Sequence, residues 1–95
     1  MDKNYGSFVW DEEKETDNIR KHGVDFILAA KAFKDANRKV YVDSKHTMDE
    51  ERFFCIGKVE SKIVTVRFTY RHGKIRIFGA GYWRKGRWYY EKKNT

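Results

Sequence analysis

Two arginines, Arg71 and Arg76, flank a His72-Gly73 pair, and Glu51-Arg52 and His22 stand upstream of them. These side-chain types suit phosphodiester cleavage without a metal. In that chemistry the 2′-hydroxyl of RNA is the nucleophile. The protein supplies a proton acceptor, a proton donor and cations around a phosphorane-like transition state. A guanidinium can hold two phosphate oxygens at once. Losing one such group typically costs about 3–4 kcal/mol in the transition state. Glu51 is a candidate base with Arg52 beside it, and His22 a candidate acid or base. Each also has a plainer reading: Glu51 as a surface residue at a strand start, His22 as a partner of a helix C-terminus.

Other chemistries find no footing. His22, His46 and His72 are scattered, and Cys55 has no Cys or His near it in sequence, so no metal site and no cofactor is expected. Gly79-Ala80-Gly81 is too short for a phosphate-cradling loop. Cys55 lies within an apolar run and reads as structural. A lone cysteine also excludes an intrachain disulfide framework and fits a reducing cytoplasm.

The positioning elements must come from 95 residues, which allow a single domain over residues 1–95. Aromatic residues make up 17% of the chain, enough bulk for a real core. No apolar run approaches membrane-spanning length, so no membrane partner is expected. The net charge of +7 is unevenly spread: residues 1–50 sum to −2 and residues 51–95 to +9, with no acidic residue between Glu60 and Glu91. Such a half points to an anionic partner, nucleic acid first.

Phe8-Val9-Trp10 reads as a short strand. Asp11 is a good N-cap, acidic residues fill the next turn, and Arg20-Lys21-His22 precede Gly23, so a helix is expected over 12–22. Asp25 caps a second helix, with Asn37 as its stop. From Arg38 the period changes to two. Strands are expected at 38–43 and 51–59, with a polar loop over 44–50 between them. A hairpin over 63–78 turns at His72-Gly73. Its parity puts Val64, Val66, Phe68, Tyr70, Ile75 and Ile77 on one face. Arg67, Arg71, Lys74, Arg76 and Phe78 fall on the other. Gathering cations on one sheet face raises their mutual repulsion, which an anionic ligand relieves. The tail over 82–92 reads as a helix. Tyr82, Arg84, Lys85 and Arg87 interleave rings with bases there, which suits stacking on unpaired RNA bases.

Phe8-x-Trp10-Asp11, Lys14, Asn18, Lys21-His22-Gly23 and Phe26 resemble the opening of the BrnT family, small toxins of type II toxin–antitoxin systems with a RelE-like fold. Glu51-Arg52, Gly57, the strand Val64 to Arg71 and Arg76-Ile77 agree. The resemblance implies a ribonuclease that arrests growth by cutting RNA. It also implies a ribbon-helix-helix antitoxin and operator DNA bound by the pair. Carried over by position, Trp10, Asn18, Lys21, His22, Glu51, Arg52, Arg71 and Arg76 match. Two positions depart. Gly81 stands where the family commonly has arginine, and Arg87 near where it commonly has glutamate. The alternative reading is a non-catalytic RNA- or protein-binding module on the same fold. The expected architecture is α+β: two N-terminal helices, an antiparallel sheet of four to five strands and a C-terminal helix.

Overall fold

Asp11 ends one element and starts the next. Its side chain accepts hydrogen bonds from the Glu13 and Lys14 amides at 2.8 and 3.3 Å. That caps helix α1 (Glu12–His22), whose acidic first turn and basic last turn both suit the helix dipole. Gly23 closes the helix in the left-handed conformation, φ 69°, donating to the Ile19 carbonyl at 2.8 Å. Asp25 caps α2 (Phe26–Lys31) through the Leu28 amide. A short 3-10 turn follows over Ala32–Lys34. The helical stretch therefore stops before Asn37, because Asp35 turns to extended backbone and its carboxylate takes the Asn37 amide instead.

The structure is a computed structural model that describes residues 1–45 and 49–92. His46 and the middle of the expected 44–50 loop lie outside them. The strands are β1 (Asp2–Tyr5), β2 (Phe8–Asp11), β3 (Lys39–Val42), β4 (Phe53–Val59), β5 (Lys62–Arg71) and β6 (Lys74–Gly81). Helix α3 covers Arg84–Glu91. The strands form one sheet in the order β1-β2-β6-β5-β4-β3.

This corrects the expected architecture. The sheet has six strands rather than four or five, and it is mixed rather than antiparallel. Two strands precede the first helix. β1 folds back on β2 through Gly6, φ 60°. β2 then joins β6 in parallel, Phe8 beside Ile75 and Val9 beside Arg76, the long connection between them running through α1, α2 and then β3 to β5.

The β5–β6 hairpin turns at His72 and Gly73, both with positive φ (53° and 74°), the geometry that matches strand twist. Arg71 faces Lys74 and Thr69 faces Arg76, as parity requires. Beyond Phe68–Ile77 the register shifts, and Arg67 faces Gly79. Phe78 is thus the extra residue of a β-bulge.

One sheet face holds the core. Trp10, Cys55, Val64, Val66, Phe68, Ile77 and Ala80 are buried there against Val24, Phe26, Ala29 and Ala30. Trp10 meets Phe26 edge-on at 5.8 Å, and Phe33 meets Phe68 at 4.9 Å. Asn18 ties α1 to β6: it donates to the Val24 and Ala80 carbonyls, each at 2.9 Å, and accepts from the Ala80 amide at 3.1 Å.

Helix α3 packs on the opposite face. Alone it would be a weak helix. Trp83 at its N-cap makes no side-chain bond, its first turn is basic, and Gly86 sits inside it. Tertiary contacts hold it. Lys39 Nζ donates to the Tyr89 and Lys92 carbonyls at 2.9 and 2.6 Å, and the Tyr90 hydroxyl donates to Asp35 Oδ2 at 2.5 Å. The Lys58 amide donates to the same carboxylate oxygen at 2.7 Å, so Asp35 joins the α2–β3 connection, β4 and α3. Burial pushes the Asp35 carboxyl up. The bonds from Tyr90, Lys58 and Asn37 outweigh that and hold it below its ordinary value.

Candidate nucleic-acid interface

Strand alternation places Arg67, Thr69 and Arg71 of β5 on the face away from α1 and α2. Lys74, Arg76 and Phe78 of β6 share it. α3 covers the end of this face where Gly86 meets Thr65. The rest is open.

Each cation there has a different environment. Arg76 is held in a two-point fork by Asp2 of β1, Nη2–Oδ1 2.8 Å and Nη1–Oδ2 3.0 Å. That hydrogen bond holds the Asp2 carboxyl below its ordinary value and raises Arg76. Arg71 is held by Glu50, Nη2–Oε1 2.6 Å and Nε–Oε2 3.3 Å, and the bond lowers the Glu50 carboxyl likewise. Lys74 donates to Asn4 Oδ1 at 2.9 Å. Arg67 has no hydrogen bond, ion pair or ring contact among the described residues. The Phe78 ring carries two cations, the Arg52 guanidinium at 4.4 Å and Lys14 Nζ at 5.4 Å from its centroid.

Glu51 sits at this corner. Its carbonyl accepts from the Thr69 hydroxyl at 2.6 Å, and Thr69 faces Arg76 across the hairpin. Its carboxylate is exposed. Arg52, Arg71 and Arg76 all act on the Glu50 carboxylate, and the Glu51 backbone lies beside them through Thr69.

His22 is elsewhere. Its ring packs edge-on against Trp83 at 5.1 Å, and the Trp83 ring lies over Gly81. Gly81 is five residues along β6 from Arg76, roughly 17 Å. Lys21 is exposed in the last turn of α1, in the layer over the opposite face. Arg84, Lys85 and Arg87 ride on α3, and Arg87 approaches Glu91 at 3.5 Å. Tyr82 follows β6 with Lys62 Nζ 5.0 Å from its ring.

Sequence reading missed Asp2 and Glu50, the two carboxylates that occupy the arginines. A signal for Asp2 existed: Gly6 separates two short runs, the minimum for a hairpin. Nothing local pointed from Glu50 to Arg71.

The departure at Gly81 has a steric correlate. A Cβ there would lie 2.7 and 2.8 Å from Trp83 ring carbons, so the indole fills the space an arginine side chain would enter.

Cys55 is fully buried on the core face, and burial pushes its thiol up to about 12. Among the described residues no three His, Cys, Asp or Glu side chains gather to hold a metal ion. No helix among them is long and apolar enough to cross a membrane.

A family model described as ribonuclease toxin, BrnT, of type II toxin-antitoxin system matches residues 10–86. No curated protein matches the chain.

Proposed function

The chain belongs to the BrnT family of ribonuclease toxins of type II toxin–antitoxin systems, and on that premise we propose that it cleaves RNA, without a metal ion, on Arg71 and Arg76, with Glu51 as the base. The observation that carries this is the row of Arg67, Arg71, Lys74 and Arg76 on a sheet face that the α1–α2 layer leaves open.

Arg71 and Arg76 take the scissile phosphate in forks that Glu50 and Asp2 occupy in the free protein. Both carboxylates are charged at neutral pH, so phosphate exchanges one anion for another and neither guanidinium is left bare. The Glu51 carboxylate accepts the 2′-hydroxyl proton. O2′ bonds to phosphorus, the P–O5′ bond breaks with its electron pair on O5′, and O5′ takes a proton from solvent. The products are a 2′,3′-cyclic phosphate and a 5′-hydroxyl. The two guanidiniums neutralise charge that grows on the non-bridging oxygens. The roughly 17 Å between Arg76 and the Gly81 end of β6 favours Glu51 over His22 as the base.

The family also implies an antitoxin protein as partner. We place a ribbon-helix-helix fold on that antitoxin and operator DNA under the pair, with the cytoplasm as the site of action.

A second reading has its own observation. Trp83 fills the space beside Gly81 where the family commonly has arginine. A non-catalytic RNA- or protein-binding module on the same fold would accommodate that loss. One experiment separates the two: purified protein is incubated with single-stranded RNA in chelator. Cleavage that Arg76→Ala and Arg71→Ala each reduce by about 10²–10³ supports the nuclease. Binding without cutting, or cutting indifferent to both substitutions, removes the proposed site.

A further inference from the structure

Beside the arginine row, the same sheet face opens into a groove of about 580 Å³ between α3 and the β3–β4 edge. That size is in the range of small-ligand sites, roughly 300–1,000 Å³. Four rings line it: Tyr41 of β3, Phe54 of β4, and Trp83 and Tyr89 from α3 and its N-cap. Tyr41 and Tyr89 lie 5.0 Å apart with their planes at 49°. Lys45 and Lys85 also line it.

Phe54 faces Arg67 directly across the β4–β5 pair. Side chains at such positions stand roughly 5 Å apart. Thr65, another lining residue, precedes Arg67 by one step of the pleat on the same face, roughly 7 Å. The groove's aromatic wall thus adjoins the one hairpin arginine that has no partner among the described residues.

We propose that this groove is a nucleobase subsite: it takes one base of single-stranded RNA between its rings, with that nucleotide's phosphate on Arg67. A flat aromatic base beside an anion, one pleat step away, is the chemistry this juxtaposition fits. The lysines add charge of the right sign. The proposal rests on the ribonuclease reading for its RNA, and it gives that reading a source of sequence preference away from the phosphate clamp. The base enters the groove while the scissile phosphate lies farther along the row, at Arg71 and Arg76.

The test is a titration of the full chain with the four 5′-ribonucleoside monophosphates, and with ribose 5-phosphate as a baseless control, followed by backbone amide NMR. Saturable shifts at Phe54, Thr65 and Gly86 are expected with one or more nucleotides and not with ribose 5-phosphate. Tyr41→Ala should weaken that binding about tenfold. Tyr41 is on an edge strand and partly exposed, so the fold survives its loss. Arg67→Gln should weaken nucleotides while leaving the free nucleosides unchanged. Ribose 5-phosphate acting like the nucleotides would mean an anion site alone and overturn the subsite. So would an acidic peptide that shifts the groove where nucleotides do not. An RNA that is cut, with shifts confined to Arg71, Arg76 and their neighbours, would overturn the subsite and leave the ribonuclease standing. Groove binding of nucleotides by a protein that cuts no RNA would do the reverse.

Discussion

Asp2 and Arg76 lie 74 positions apart and form a two-point ion pair at 2.8 and 3.0 Å. The carboxylate presents two oxygens to the fork in the way a phosphate would. The Arg76 side chain is 16% exposed and that of Asp2 50%, so the acid is the member water can reach. The N-terminal strand therefore sets how readily the central arginine accepts a ligand.

Asp2→Asn should tighten RNA binding by roughly twofold to fivefold and raise cleavage at low RNA concentration, because the competing charge is gone. A salt titration of RNA affinity checks it. Unchanged or weakened binding would show that Asp2 does not compete.

The Asp35–Tyr90 bond predicts two pH limits. The Tyr90 hydroxyl donates a hydrogen bond to Asp35, which raises the phenol from 10.0 to about 12. A group raised on folding contributes stability that is present below its unfolded pKa and lost as pH rises through the folded one. Stability should therefore fall between about pH 10 and 12, and Tyr90→Phe should remove that part of the fall. Asp35 is lowered on folding. Its contribution is present above the ordinary carboxyl range and is lost as pH falls through the lowered value, so Asp35→Asn should flatten the acid limb. Thermal melts across pH read both.

Thr65 Oγ1 is buried without a hydrogen-bond partner among the described residues and sits against Gly86. Thr65→Val keeps the shape and removes the unsatisfied hydroxyl, so it should be neutral or stabilise by up to about 1 kcal/mol. Gly57→Ala should do the opposite. A Cβ there runs into the backbone of Ala32, which cannot give way as a side chain can. A loss of about 2 kcal/mol or more is expected. Chemical denaturation measures both, and a tolerated Gly57→Ala would mean that β4 and the 3-10 turn are less closely seated.

Cys55 should resist thiol reagents at neutral pH. Its thiol is buried and raised to about 12, so almost no thiolate is present. Modification should track unfolding, and rapid labelling of the native protein would contradict the buried position.

Replacing Gly81 with the family's commoner arginine should destabilise the protein unless Trp83 is also reduced. The Gly81→Arg, Trp83→Ala pair should melt higher than Gly81→Arg alone, because the indole ring occupies the space the new side chain needs. Equal melting of the two would show that Trp83 is free to move aside.

Much of the molecule follows from local chemistry. Asp11, Gly23 and Asp25 punctuate the helices because caps and left-handed turns are choices of a few neighbouring residues. Alternation along β5 and the two positive-φ residues at His72-Gly73 fix which hairpin face is basic, since a pleat has period two. Other features depend on partners far off in sequence. β1 is exposed along its whole length and buries no face, so no hydrophobic pattern marks it. Its pairing with β2 is a backbone ladder with one ring contact, Tyr5 on Trp10 at 6.3 Å. The parallel β2–β6 contact and the bulge at Phe78 are likewise settled by strands meeting from distant parts of the chain. Strand alternation alone puts a row of arginines on one sheet face. Which acids sit on them, Asp2 on Arg76 and Glu50 on Arg71, follows from how the distant strands come together. Ion pairing depends on distance through space, and residues 74 and 21 positions apart carry no local sign of it.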